Sequence, residues 1–335
     1  MKTQIEGYEN FPGEHCGSSA MRGLLNHYCG LRLPEPAVFG LGSALDCMYI
    51  ASEESDPPRM VFGRALSLEV DLAANLQIDY REQTVADDDE AWRLVRDEVA
   101  AGRPTMLSGD IFYLDYRDYT VHFPGHRFVL LGFDEEAGTA QIADRIRVES
   151  ETCSLGSIRE SRNPPSQLMS TQNLWGKFHG REVGRSVVDA TRLAIQRECE
   201  RMLAPTGEPS GLPMQSGLPA LRRMAEEIGS WGERENAAWI ASYNARAIEK
   251  FGNGGGNFRR LYAGFLAWAH DLDSSLVKPE AAGVATQAAD EWTSLADTLF
   301  ALSADEADPH GWQTASSQAG SIAATETRLF ELLSA

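Results

Sequence analysis

A cysteine at the start of an amphipathic helix is the feature that most constrains this sequence. The run EHCGSSAMRGLL occupies residues 14–25, and apolar residues recur at helical spacing from Ala20 to Tyr28, followed by Gly30 as a stop signal. The pattern therefore predicts a helix that begins at Cys16. The first amides of a helix have no intrahelical acceptor and the helix dipole is positive there, which favours a thiolate. We expect the pKa of Cys16 to lie below the value of about 8.5 for a free thiol.

A histidine and an aspartate further along the chain are predicted to face each other across a hairpin. The run HRFVLLGFD (126–134) indicates a buried strand, EEAG (135–138) a turn, and TAQIA (139–143) a returning strand. Antiparallel pairing brings the start of one strand close to the end of the other, so His126 and Asp144 become neighbours. In this geometry the carboxylate would hold the imidazole tautomer while the other ring nitrogen deprotonates the thiol.

Each of these residues also has a simpler structural interpretation. Cys16 could be a packed apolar residue, and His126 a satisfied residue at a strand edge. Asp144 could be a turn former, and Asp134 occupies a similar position at the end of the other strand. The run HFPGH (122–126) places two histidines four residues apart, but its proline and glycine oppose a helix, so we predict no metal site.

Several short runs resemble the butirosin biosynthesis protein H family. In the first half these are HCGSSA (15–20), VFGLGS (38–43), FGR (62–64) and GH (125–126). The run FGNGGGNFRRLY (251–262) resembles the helical domain that accompanies the N-terminal domain in that family. The order of cysteine, histidine and aspartate also looks like the papain-like fold of small cysteine peptidases. The resemblance implies an α+β fold, with a papain-like cysteine-enzyme N-terminal domain and an all-α helical C-terminal domain.

The resemblance implies an acyltransferase rather than a protease. The namesake of the family moves an aminoacyl group from the phosphopantetheine thioester of a carrier protein onto an amine of an aminoglycoside. Carried over to this sequence, Cys16 would accept the acyl group as a thioester, His126 would act as base and then as acid, and Asp144 would orient His126. No bound cofactor is implied, because the phosphopantetheine thioester is the acyl donor, on an acyl carrier protein or as acyl-CoA.

The acyl oxygen also needs a hydrogen-bond donor, because negative charge develops on it in both half-reactions. The backbone N–H of Cys16 is one predicted donor. Papain-like enzymes commonly place a glutamine six residues before the nucleophile, and this chain has Asn10 at that offset. We predict Asn10 as the second donor, with Glu14, Ser18 or a backbone group as alternatives.

A glycine-rich run in the second half precedes two arginines at the start of a predicted helix. The run GNGGG (252–256) lacks the Lys-Ser/Thr ending of a phosphate-binding loop. Arginine at a helix start is electrostatically unfavourable unless it meets an anion. We therefore predict that Arg259 and Arg260 bind the phosphate of the pantetheine donor. The alternative is a connector between helices with Asn257 as the N-cap.

The charge of the chain limits its partners. Its 335 residues include 30 basic and 49 acidic side chains, a formal charge of −19. This excess opposes binding to nucleic acids and to anionic membranes, and it favours a cationic, amine-bearing small molecule as acceptor. An acidic carrier protein would need a local basic patch, for which the available residues are Arg145, Arg147, Lys177, Arg181, Arg185, Arg259 and Arg260. A homodimer is compatible with the sequence.

Cysteine usage and hydropathy indicate the cytoplasm. The five cysteines are scattered, which predicts neither a disulfide framework nor a zinc cluster. No apolar run approaches the roughly 18 residues of a membrane span, and the first residues lack the apolar core of a signal peptide.

The sequence predicts two domains joined by a linker. Residues 1–155 would form the catalytic domain, and residues 156–180 the linker, since residues 157–172 are polar and show no clear periodicity. Residues 181–335 would form a bundle of helices. These helices are predicted over 183–203, 217–231, 236–251, 258–272, 280–303 and 316–333.

Two questions stay open at this point. The segment DIFYLDY (110–116) is interpreted as a strand with an aromatic face, and the alternative is an acceptor pocket lined by its tyrosines. The same cysteine, histidine and aspartate would also serve a cysteine hydrolase, an amidase or peptidase that uses water. A catalytically silent binding or scaffold protein is a further alternative.

Overall fold

The computed structural model describes residues 1–164, 171–205 and 214–335. The chain divides into two compact units, each assembled from two separated stretches. Unit 1 comprises Met1–Val38 and Leu76–Gly184, and unit 2 comprises Phe39–Asn75 and Arg185–Ala335. This division differs from the predicted linear one, because residues 39–75 cluster with the C-terminal helices and not with the catalytic sheet.

Most of the strands lie in the first half of the chain, and the second half is mainly helical. In chain order the elements are β1 (Lys2–Gln4), α1 (Cys16–Cys29), α2 (Glu35–Leu41), β2 (Leu45–Ala51), β3 (Arg59–Arg64), α3 (Leu68–Leu76), β4 (Tyr80–Gln83), α4 (Asp88–Ala100), β5 (Thr105–Gly109), β6 (His126–Asp134), β7 (Thr139–Ala143), β8 (Glu151–Ser154), α5 (Leu155–Arg162), β9 (Trp175–Phe178), α6 (Val187–Leu203), β10 (Met214–Gln215), α7 (Gly217–Glu227), α8 (Ala237–Glu249), α9 (Arg259–Leu272), α10 (Pro279–Leu302) and α11 (Pro309–Ser334). Short segments of 3-10 helix lie at Ile111–Tyr113 and Ile228–Glu233.

Unit 1 is built on an antiparallel sheet with strand order β4-β9-β5-β6-β7-β8, and β1 also pairs with β6. Helix α1 packs against β6, and its residues Met21, Leu24 and Leu25 are each at most 1% exposed. Phe128 and Trp175 belong to a buried apolar cluster on the sheet. This arrangement confirms the α+β class.

The hairpin of β6 and β7 has the bounds that the sequence predicts. Val129 pairs with Ala143, so continuation of this register places Asp144 opposite Phe128. His126 lies two residues before Phe128 on β6, and its side chain therefore points to the same face of the sheet as that of Phe128. Asp144 and His126 are thus diagonal neighbours across the pair of strands, a spacing that side chains can bridge.

The segment predicted as a linker contributes to unit 1 instead. It contains α5 and β9, and β9 pairs with both β4 and β5 inside the sheet. Residues 165–170 of that segment lie outside the described residues. The prediction differs here because the buried face of α5 is largely polar, so its periodicity is not hydrophobic. That face consists of Ser157, Ile158, Ser161 and Arg162.

Unit 2 contains the predicted bundle of helices together with a small sheet of order β10-β2-β3. Each helix predicted over residues 181–335 is present, and the largest difference is at α11. That helix begins at Pro309 rather than at residue 316, because the side chain of Asp308 caps it by accepting a hydrogen bond from the amide of His310 (2.9 Å). Among the described residues, none of the helices combines the length and apolar content that crossing a membrane requires.

A buried ion pair occupies the centre of unit 2. The side chains of Arg259 and Glu326 are both 0% exposed, and the guanidinium donates to the two carboxylate oxygens at 2.7 and 2.9 Å. Its remaining nitrogen donates to the backbone carbonyls of Asp46, Gly63 and Asn257. The anion that Arg259 meets is therefore Glu326, and the predicted phosphate-binding role does not fit this position.

The glycine-rich loop before α9 packs closely on β3. A Cβ atom on Gly63 would lie 2.3 Å from the carbonyl oxygen of Asn257, so only glycine fits at this approach. Asn257 is fully buried and is not the N-cap of α9, which is Phe258 in a left-handed conformation with φ of 71°. The loop thus connects α8 to α9 and packs inside unit 2. This agrees with the alternative of a connector between helices, except that Asn257 is not the N-cap.

We expect Arg259→Met to lower the free energy of unfolding by about 3–5 kcal/mol, because it leaves a buried carboxylate without its partner. The double variant Arg259→Met/Glu326→Met should recover most of that loss, since both charges are removed together. Urea unfolding followed by circular dichroism measures both. Arg260→Met is the matched control: Arg260 pairs with Asp290 at 2.9 Å on the surface, and its loss is expected to cost less than about 1 kcal/mol. Equal losses of unfolding free energy for Arg259→Met and Arg260→Met would contradict the structural role of the buried pair of Arg259 and Glu326.

Candidate active site

Cys16 is the first residue of α1, as the sequence predicts. The preceding residue, His15, is the N-cap, and its ring accepts a hydrogen bond from the amide of Ser18 at 3.2 Å. Gly30 ends the helix in a left-handed conformation with φ of 68°. The thiol of Cys16 therefore lies at the positive end of the helix dipole, where a thiolate is stabilised.

His126 and Asp144 form a buried ion pair. Nε2 of His126 lies 3.2 Å from Oδ1 of Asp144, and the side chains are 6% and 1% exposed. The other carboxylate oxygen accepts a hydrogen bond from the hydroxyl of Tyr116 at 2.5 Å, and the amide of Arg145 donates to Oδ1 at 2.6 Å. These contacts compensate the carboxylate for the water that it loses on burial.

Cys16 and His126 are in hydrogen-bond contact. Since Nε2 faces Asp144, the nitrogen that remains for the thiol is Nδ1. Burial alone would lower the pKa of His126, but the charge of Asp144 and the contact with Cys16 outweigh it and raise that pKa well above its ordinary value. Burial opposes ionisation of Asp144, yet His126 and Tyr116 hold the pKa of its carboxyl well below the usual range. The histidine is therefore an imidazolium near neutral pH, the form that stabilises a thiolate.

The alternative carboxylate, Asp134, has a different task. Its side chain accepts hydrogen bonds from the amides of Glu136 and Ala137 at 3.2 and 3.1 Å, and it pairs with Lys2. Asp134 is thus the turn former of the β6–β7 hairpin, and Asp144 is the carboxylate beside His126.

Asn10 lies near the site, but its side chain does not serve as the predicted oxyanion donor. Its side-chain nitrogen donates to the carbonyl oxygens of Asp144 (2.7 Å) and Arg147 (2.6 Å), which engages both of its hydrogens. The predicted donor role therefore does not fit, because the shorter asparagine side chain bonds to the loop after β7. The alternative donor Ser18 is engaged as well, since its hydroxyl lies 2.9 Å from a carboxylate oxygen of Glu35. Backbone amides of the first turn of α1 remain as donors.

Glu35 is a residue that the sequence analysis missed. Its carboxylate is buried and accepts hydrogen bonds from the backbone amides of Glu14 (2.9 Å) and His15 (2.8 Å), and from the hydroxyl of Ser18. A Cβ atom on Gly13 would lie 2.5 Å from the same carboxylate, so the turn before the nucleophile needs glycine there. Glu35 thus fixes the backbone immediately before Cys16.

One signal in the sequence could have pointed to Glu35. It is a lone acidic residue between two prolines, directly before the apolar run AVFGL (37–41). A charged residue at the entrance of a buried helix needs partners, and the amides of a neighbouring turn are the commonest ones. Nothing in the local pattern identifies that turn as the one before Cys16.

The segment from Asp110 to Tyr116 is not a strand. The carboxylate of Asp110 accepts hydrogen bonds from the amides of Phe112 (3.1 Å) and Phe123 (2.8 Å), which turns the chain out of the sheet directly after β5. The loop that follows, residues 110–125, carries Tyr116 to Asp144. The predicted strand with an aromatic face is therefore wrong, and the hydroxyl of Tyr116 bonds to the carboxylate of Asp144.

Several cations predicted to form a docking patch are already in ion pairs. The pairs are Arg147 with Glu151, Lys177 with Glu98, and Arg260 with Asp290. The side chain of Arg260 is 42% exposed, so its contact with a donor phosphate stays a prediction. Among the described residues, which include all five cysteines, no disulfide is formed.

A helix that begins with a cysteine and packs on an antiparallel sheet carrying a histidine and an aspartate is the papain-like arrangement. Comparison with protein families adds the particular family. Residues 15–145 match the model for "Butirosin biosynthesis protein H, N-terminal", and residues 156–333 match a "Domain of unknown function (DUF4872)". Together the two matches cover most of the chain and give the N-terminal plus C-terminal domain architecture of butirosin biosynthesis protein H-like proteins. The chain therefore belongs to the butirosin biosynthesis protein H-like family, which relates it to the enzymes of antibiotic and natural-product biosynthesis. The search of curated proteins found no match.

We expect Cys16 to be alkylated by iodoacetamide at neutral pH and below, because the imidazolium of His126 persists there. His126→Gln should slow alkylation at pH 7 at least tenfold and move the midpoint of the pH profile upward, towards that of a free cysteine at about 8.5. Peptide mapping by mass spectrometry identifies the modified residue. Cys29, half-buried and with a pKa that burial raises, is the internal control. Equal rates for wild type and His126→Gln would contradict the ion pair.

We expect Glu35→Gln to lower the free energy of unfolding by about 1.5–3 kcal/mol, because amide hydrogen bonds to a charged acceptor are lost. Hydrogen exchange at the amides of Glu14 and His15 should accelerate, which locates the effect at the turn before the nucleophile. Glu14→Gln makes the same chemical change at an exposed position next to that turn, and its expected effect is within about 0.5 kcal/mol. Unchanged exchange at both amides in Glu35→Gln would exclude the anchoring role.

Proposed function

We propose that this protein is a cysteine-dependent acyltransferase that forms amides. It would move an acyl or aminoacyl group from a phosphopantetheine thioester, on a carrier protein or coenzyme A, through a thioester on Cys16 to an amine of a natural-product substrate. The observation that carries the proposal is the contact of Cys16, at the start of α1, with a histidine that lies 3.2 Å from a buried aspartate, whose charge raises the pKa of the imidazole. Membership in the butirosin biosynthesis protein H-like family supports the class of reaction.

The first half-reaction exchanges one thioester for another. The thiolate of Cys16 attacks the acyl carbon, a bond forms between Sγ and that carbon, and the bond to the pantetheine sulfur breaks. The imidazolium of His126 gives its proton to the departing thiolate. Because a thioester is made and a thioester is broken, the step is close to isoenergetic and needs little driving force.

The second half-reaction is aminolysis. With His126 now neutral, an amine attacks the acyl carbon, the new C–N bond forms and Cys16 leaves as a thiolate. His126 accepts a proton from the amine nitrogen, which restores the starting ion pair. The amide product is more stable than the thioester, so this step is downhill, and exclusion of water favours it over hydrolysis.

Backbone amides would stabilise the oxyanion in both half-reactions. The first turn of α1 presents N–H groups at the positive end of the helix dipole, and one of them belongs to Cys16 itself. The engagement of Asn10 by carbonyl oxygens supports this choice over a side-chain donor. Glu35 then acts as a positioning residue, because it holds the backbone that leads into this turn.

The charge of the chain supports the class of acceptor. A formal charge of −19 attracts a cationic amine and repels free polyanions. The same excess means that an acidic carrier protein would dock through local contacts and not through long-range attraction.

We expect wild-type protein to gain the mass of one acyl group when it is mixed with acyl-pantetheine thioesters, and Cys16→Ala to gain none. Addition of a primary amine should then discharge the acyl group as an amide, which intact-mass and product mass spectrometry detect. Cys29→Ala is the matched control and should behave as wild type. Release of free acid at the same rate with or without amine would indicate a hydrolase. Absence of any acyl adduct over a panel of donors would indicate a binding protein.

A further inference from the structure

A second histidine–aspartate pair lies on the loop that leads into the candidate site. Nδ1 of His122 is 2.8 Å from Oδ2 of Asp110, whose side chain is 1% exposed, whereas the side chain of His122 is 55% exposed. The ring of His122 stacks on that of Phe112, with centroids 4.1 Å apart, and Phe112 is itself 44% exposed. Neither the proposed acyl transfer nor the triad of Cys16, His126 and Asp144 accounts for this pair.

The contact with Asp110 fixes the tautomer of His122. An ionised carboxylate only accepts hydrogen bonds, so a neutral His122 carries its proton on Nδ1 and its lone pair on Nε2. The other oxygen of Asp110 accepts from the amides of Phe112 and Phe123, which prevents the carboxylate from rotating. The ring of His122 is also held by stacking on Phe112. Nε2 of His122 is therefore a preorganised proton acceptor on a side chain that is largely exposed.

The topology places this pair next to the strand that begins with His126. Gly109 is the cross-strand partner of His126, and Asp110 follows it directly. Partners in an antiparallel pair have Cα atoms about 4.5–5.5 Å apart, and consecutive Cα atoms are about 3.8 Å apart. The Cα atom of Asp110 therefore lies within about 9 Å of the Cα atom of His126. Tyr116, on the same loop, touches Asp144. The loop therefore borders the triad at two points.

The proposed reaction needs a second proton acceptor. A primary alkyl amine has a pKa of about 10.4, like that of lysine, and reaches the enzyme as an ammonium ion. An ammonium nitrogen carries three protons and the amide product keeps one, so two must leave. His126 accepts one and keeps it, which restores its ion pair with the thiolate of Cys16, so the other proton needs a different acceptor.

We propose that His122 is this second base, and that the surface formed by His122 and Phe112 receives a primary alkylammonium acceptor. The inference rests on the proposed acyltransferase function. Nε2 of His122, directly or through one water, takes a proton from the ammonium ion and later releases it to solvent. The resulting amine nitrogen forms the C–N bond, the C–S bond breaks with its electron pair on Sγ, and His126 handles the remaining proton as before.

The test compares two acceptors that differ in protonation. Acyl-Cys16 is formed with an acyl-pantetheine thioester, and single-turnover discharge is followed by intact-mass spectrometry at about pH 8. One acceptor is Nα-acetyllysine, which is protonated there, and the other is hydroxylamine, which is neutral and needs to lose only one proton to the triad. His122→Gln should lower the rate constant with Nα-acetyllysine at least tenfold more than that with hydroxylamine, within the range expected for a lost general base.

His179→Gln is the matched control, because His179 is an exposed histidine of the same unit. It should leave the ratio of the two rate constants as in wild type. Equal losses with both acceptors in His122→Gln, or no loss with either, would overturn the role of His122 while the acyl adduct on Cys16 still upheld the proposed function. Failure of wild type to form acyl-Cys16 would instead refute the proposed function and this inference with it.

Discussion

The buried ion pair between His126 and Asp144 is the interaction on which the candidate site depends. Burying two charges is unfavourable unless each finds enough partners, and removal of one partner leaves the other exposed to the full desolvation penalty. Asp144 meets this requirement through the hydroxyl of Tyr116 and the amide of Arg145, which come from two different loops. Both loops must therefore contact the same carboxylate, and their positions determine the environment of His126.

The nucleophile and the carboxylate are positioned by one connected backbone. Asn10 and Gly13 bond to the carbonyl oxygens of Asp144 and Arg145, so the segment before α1 is tied to the end of β7. Glu35 holds the next two amides of that segment. A shift of the loop after β7 would thus move the turn that carries the cysteine. This coupling explains the role of Asn10, which stands at the position where papain-like enzymes have a catalytic glutamine. Asn10 holds the backbone in place and does not act in catalysis.

The accuracy of the sequence predictions follows the range of the interactions involved. The start of α1 at Cys16 and the bounds of the β6–β7 hairpin depend on local periodicity and on turn residues, and the structure confirms them. The roles predicted for Asn10 and Arg259 depended on partners more than 60 residues away, namely the carbonyl of Asp144 and the carboxylate of Glu326. No local pattern identifies such partners. The prediction for α5 failed for a related reason, since most of its buried face is polar and is held by hydrogen bonds of Ser161 and Arg162 to backbone carbonyls.

Four of the runs that resemble the family divide into two groups with different physical roles. HCGSSA (15–20) and GH (125–126) contain the groups that can react. FGR (62–64) and FGNGGGNFRRLY (251–262) pack against each other in unit 2, where the carbonyl of Gly63 and the carboxylate of Glu326 satisfy Arg259. A buried guanidinium tolerates few changes among the groups around it, because each lost acceptor leaves a donor unpaired. Glycine-rich runs with neighbouring arginines therefore mark a structural requirement as readily as a phosphate site, and the exposed fraction of each arginine distinguishes the two.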